Sequence, residues 1–127
     1  SILDAQRNQV YTGRYKFENG NIVEIQPVDV VEIENLLEEI SKDNEEWILV
    51  GEAVYKYEDR IKEIKNIRVP SPSHNVTKAS SLCSIAKEKY NKNIDVHNCY
   101  DINPMYIRKS QAEVQYEEKM KRLENGK

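Results

Sequence analysis

An α/β fold with a mixed sheet is predicted by three observations. The first thirty residues alternate with period two, the period changes to helical at Ile33, and short strand-like apolar runs then separate further helical stripes. Residues 2–4 (ILD) read as a short buried strand, followed by a polar turn at Gln6, Arg7 and Asn8. In QVYTGRYKF, Tyr11, Tyr15 and Phe17 share one face with Gly13, while Val10, Thr12, Arg14 and Lys16 take the other. That pattern predicts a strand with one face buried. Asn19-Gly20 supplies the positive φ angles of a tight hairpin turn, and NIVEIQPVDVV returns as a third strand.

The later elements have their own signals. Ile33, Leu36, Leu37 and Ile40 fall on one stripe of a helix ending near Lys42. WILVG is a continuous apolar run, as expected of a parallel strand covered on both faces. Val54, Tyr57, Ile61 and Ile64 form a second helical stripe, and IRV is a short last strand stopped by Pro70 and Pro72. Asn75 is placed to cap a third helix whose Ala79, Leu82, Cys83, Ala86 and Tyr90 point inward. The order is therefore βββαβαβα, a meander followed by right-handed crossovers, with helices on the faces of the sheet. This is the element order of a ribonuclease H-like (actin-like, ASKHA) lobe, expected over residues 1–104.

Residues 105–127 are read as a strand-like segment and a helical tail. Ser110 and Glu113 have capping-box spacing, and Glu117 with Lys121 and Glu118 with Arg122 pair at i, i+4. Ala112, Tyr116, Met120 and Leu123 make only a thin apolar stripe, which suits either a docked helix or a solvated one. Tyr106 and Ile107 are expected to pack against the sheet or a helix.

The 127 residues suit one folded unit plus a tail. With 22 acidic and 19 basic residues the net charge is -3, which gives no general footprint for nucleic acid. No apolar run approaches the ~20 residues that cross a bilayer, so a cytoplasmic protein is expected, with no membrane partner. Cys83 and Cys99 lack the dense spacing of a disulfide framework.

Candidate chemistry is thin. Asp4, Glu38 and Glu52 can be nominated as metal-binding carboxylates of a ribonuclease H-like nuclease, yet Glu38 and Glu39 follow an apolar stripe and face water. Gly51 lies between a strand and a helix, where backbone N–H groups can meet phosphate, but one glycine is no phosphate-cradling loop. His74, His97, Cys83 and Cys99 lack zinc-ligand spacing, and no H-E-x-x-H is present. Ser71, Ser73, Ser80, Ser81 and Ser84 have no nucleophile elbow and read as turn and cap residues. The expectation is no catalytic residue, no metal and no cofactor.

The segments LDAQRNQVYTGRYKF, ILVGEAVYKY, VPSPS and PMYIRKSQAEVQYEEK, in that order, resemble the second half of the TsaB (formerly YeaZ) family. These are bacterial threonylcarbamoyladenosine-biosynthesis proteins, often labelled glycoprotease-like. The most specific pieces are Asp4, Ala5, Val10 and Tyr11 at the start, and Pro104, Tyr106, Arg108, Ala112 and Glu113 near the end. Gln6 stands where the family commonly has a basic residue, and Gln9 where it commonly has Glu.

The resemblance implies a two-lobe parent of which this is the second lobe; the D-T-S start and G-P-G-S-F-T-G loop of a first lobe are absent. It also implies a non-catalytic subunit that binds a TsaD-like paralogue and a TsaE-like ATPase and meets tRNA only indirectly. Asp4, Arg7, Tyr11, Gly51, Tyr106, Arg108, Ser110 and Glu113 are its expected interaction or structural residues. Apolar surface left by the missing lobe would favour a homodimer. The competing reading is a metal-dependent hydrolase, of nuclease or glycoprotease type.

Overall fold

The structure, a computed structural model, describes residues 1–107, 116 and 119–123. Arg108, Ser110, Ala112, Glu113, Glu117 and Glu118, to which the sequence assigned the capping box and ion pairs of the tail, lie outside the described residues.

The chain opens with β1 (Ile2–Asp4), β2 (Gln9–Glu18) and β3 (Asn21–Glu32), an antiparallel meander in the order β1-β2-β3. The predicted hairpin turn is present, with Asn19 at φ 50° and Gly20 at φ 80° between the paired Glu18 and Asn21. The β2–β3 register slips twice, between Thr12 and Arg14 and between Arg14 and Tyr15. The extra residues fall on β3 around Pro27, which has no N–H to give a ladder.

Next come α1 (Ile33–Lys42), β4 (Trp47–Ile48), the two short helices α2 (Ala53–Lys56) and α3 (Glu58–Lys62), and β5 (Ile67–Arg68). β4 and β5 pair in parallel, as a crossover through helices requires. Ile2 N–H donates to the Val50 carbonyl at 2.8 Å and joins this pair to the meander. A 3-10 turn (Pro72–His74) and α4 (Ala79–Asn91) complete the described elements, and residues 119–123 are helical.

Burial of the predicted stripes holds the first part together. Ile2, Val10, Ile33, Leu36, Leu37, Ile40, Leu49, Ala53, Val54 and Ile61 form one core, with Trp47, Tyr57, Ile64 and Ile67 packed against it. Of β2, the Val10 and Thr12 face is buried, whereas Phe17 on the aromatic face is 72% exposed. Burying a Leu or Ile side chain contributes roughly 1.5–3 kcal/mol, so the choice of face follows from where α1 presents its stripe.

Four expectations are corrected. Leu82 on α4 is 58% exposed, and no residue of α4 is buried. Its apolar positions are largely small (Ala79, Cys83, Ala86) and interrupted by Ser80, Ser81 and Ser84, so docking would cover little area. Asn75 does not cap α4, whose N-cap is Lys78; its amide donates to the Pro70 carbonyl at 3.3 Å instead. The strand at Trp47–Ile48 is covered on one face only, because Leu49 is buried and Ile48 is 66% exposed. Tyr106 is exposed rather than packed, although Ile107 is half-buried.

Candidate functional site

The most unusual backbone lies in the turn between β1 and β2. Gln6, Arg7 and Asn8 all have positive φ, at 62°, 51° and 60°. Side chains other than glycine adopt this left-handed region at a cost of about 1 kcal/mol each, and only Asn does so readily. Surrounding bonds over-determine the turn. Ala5 N–H donates to Gln9 O and Gln9 N–H to Gln6 O, both at 2.9 Å, while Ile33 N–H donates to Asn8 O at 3.0 Å. Ala5 is buried beneath, and Gln6, Arg7 and Asn8 are exposed.

Asp4 fixes the near side of this turn. Its carboxylate accepts Gln6 N–H at 3.1 Å and the Lys56 ammonium at 2.9 and 3.0 Å. The Lys56 bond, followed by the Gln6 N–H, holds the Asp4 carboxyl below its ordinary range, and Asp4 in turn raises Lys56. Lys56 also lies 5.3 Å from the Tyr57 ring centroid. Tyr11 pairs with Leu3 across the β1–β2 ladder and is half-buried. Asp4, Arg7 and Tyr11 thus converge on one turn, the first two nominees as clamp and exposed cation.

Gly51 belongs to the same end of the molecule but does not cradle an anion. Its φ is 115°, and a Cβ placed there would lie 2.1 Å from the Ile2 carbonyl oxygen. The glycine lets the strand-to-helix turn cross the backbone of β1.

A second cluster lies on the α1 side of the sheet. Arg14 forms a bidentate ion pair with Glu39, which holds the Glu39 carboxyl down, and its guanidinium stands 5.5 Å from the Trp47 ring centroid. Trp47 Nε1–H donates to Asp43 at 2.9 Å. Sequence patterning gave no signal for this cluster, because its members are 33 residues or fewer apart on three elements and share no motif.

The other nominees are scattered. Glu38 pairs with Lys42 at 2.7 Å, and Glu52 is exposed. His74 Nδ1 lies 2.8 Å from the Ser71 hydroxyl, one local turn apart, and His97 lies 3.8 Å from Asp95. Cys83 and Cys99 are free and exposed. Among the described residues no three His, Cys, Asp or Glu side chains group as metal ligands, and no helix is long and apolar enough to cross a membrane. The bonded groups can hold surfaces in place; none is poised to exchange a proton with another.

The resemblance read from the sequence is met by comparison with known proteins. The chain is similar to the tRNA threonylcarbamoyladenosine biosynthesis protein TsaB of Bacillus subtilis (strain 168), 29% identical over 123 residues. The matched region is 94% of this chain and 51% of that protein, so the chain spans about half the length of its curated relative. No protein-family model matches the chain.

Proposed function

We propose that this chain is the second lobe of a TsaB-like protein and serves threonylcarbamoyladenosine formation in tRNA as a non-catalytic subunit. The observation that carries the reading is the similarity to TsaB across 94% of the chain. The lobe binds a TsaD-like paralogue and, with it, a TsaE-like ATPase; tRNA is reached through these partners, in the cytoplasm. Its contribution is made by surfaces. The turn at residues 5–9, strained and yet bonded on every side, presents Arg7 as a fixed charge, which is the use to which an over-determined turn is well suited. Asp4 and Lys56 hold that turn to α2.

The test is to mix the two-lobe protein with a TsaD-like paralogue, follow co-elution, and assay modification of tRNA with the ATPase present. Co-elution and a loss of modification when the protein is omitted are expected. Arg7→Glu should weaken co-elution while leaving the fold intact. Modification that runs equally well without the protein would overturn the reading.

A further inference from the structure

β2 is ten residues long, yet β1 pairs only with its first part, through Ile2 with Thr12, Leu3 with Tyr11 and Asp4 with Val10. Ser1 extends this ladder by one step, its ammonium donating to the Gly13 carbonyl at 2.9 Å. Peptide groups of a strand alternate sides, so those of Tyr15 and Phe17 face the same way as Tyr11 and Gly13. On the opposite bank, Trp47 N–H donates to Asn66 O at 2.8 Å and Leu49 N–H to Arg68 O at 2.9 Å, on the β5 side. Ile48 and Val50 therefore turn their peptide groups the other way, where Val50 O already accepts Ile2 N–H.

Between these banks runs a channel of about 480 Å³, lined by residues 12–17 and 45–50, with Leu36 and Ile40 of α1 in its floor. No strand of the described residues lies in it. Two facing rows of peptide groups over an apolar floor are complementary to an extended backbone on both of its edges. Burial, and then the charge of Arg14, lower the pKa of the Ser1 amine, as expected for an ammonium held where a ladder takes a neutral amide.

We propose that this channel is a strand-receiving slot, and that its occupant is the stretch of polypeptide joined to Ser1 in the two-lobe parent, running back along β2. The proposal rests on the lobe reading for the identity of the occupant, but the slot itself is set by the two ladders. The ladders also fix the register. The first residue before Ser1 gives its N–H to Ile48 O and accepts Val50 N–H. The second pairs with Tyr15 and the fourth with Phe17. The first and third share the side of buried Ile2 and face Leu36 and Ile40, so they are apolar.

A designed extension tests this. Four residues are added before Ser1, with valine at the first and third places back from Ser1 and threonine at the second and fourth; a control carries proline at the second. Amide hydrogen exchange is compared with that of the unextended chain. Exchange at Tyr15, Phe17 and Val50 should slow at least tenfold with the extension, and the proline should remove the effect at Tyr15 and Phe17. Unchanged exchange in the extended chain would overturn the slot. Equal protection by the same four residues as a separate peptide, at equimolar concentration, would overturn the assignment to a joined segment. Because the extension is designed, either result bears on the channel and leaves the lobe reading to the binding assay.

Discussion

Residues 1–69 and residues 79–107 both contain amphipathic segments, yet only the first region closes a core. α1 brings Ile33, Leu36, Leu37 and Ile40 to the sheet and buries all four, whereas α4 leaves Leu82, Ile85 and Tyr90 in solvent. The difference lies in the size and continuity of the stripe. Four large branched side chains on adjacent turns repay the entropy of ordering them, while a stripe made largely of alanine and cysteine between serines gains too little area. Helical spacing in a sequence predicts a helix; its burial depends on what the stripe can cover.

That contrast can be broken or sharpened by substitution. The largest effect is expected at Gly51→Ala, where the new Cβ meets the Ile2 carbonyl at a φ that alanine rarely adopts. A loss on the order of 3–5 kcal/mol is expected in denaturant unfolding. Leu37→Ala should cost about 3 kcal/mol, and Leu82→Ala less than about 0.5, in the same measurement. Equal costs at the two leucines would dissolve the distinction between the regions. Arg7→Gly should instead raise stability by about 0.5 kcal/mol, the relief of left-handed strain slightly exceeding the added freedom of the unfolded chain.

The smallest expected effect concerns acid. The Asp4, Asp43 and Glu39 carboxyls are each held below their ordinary values of 3.8, 3.8 and 4.5. A lowered folded-state pKa means stability that is present above the ordinary value and lost as pH falls through the lowered one. Urea midpoints should therefore be flat from pH 7 to about 5 and fall below about 4. Asp4→Asn should make that acid limb shallower.

Much of the first region was legible because its signals are local. Asn19-Gly20 fixed the hairpin, and the spacing of Ile33, Leu36, Leu37 and Ile40 fixed α1. What could not be read depends on distant partners. The role of Gly51 is set by the Ile2 carbonyl, 49 positions away, and the face that β2 buries is set by α1. Gln6 and Arg7 have no preference for left-handed backbone, so the strain of their turn is imposed by bonds from Gln9 and Ile33. Asp4 and Arg7 stood out by family resemblance, but the Lys56 partner of Asp4 came only with the fold.

Native-state amide hydrogen exchange of the chain alone tests the central claim most directly, that one core built from the first 69 residues holds the molecule's surfaces in place. Amides of β1, β2 and α1 should exchange only through global unfolding, and those of α4 orders of magnitude faster. Protection of α4 as deep as that of α1 would contradict the account.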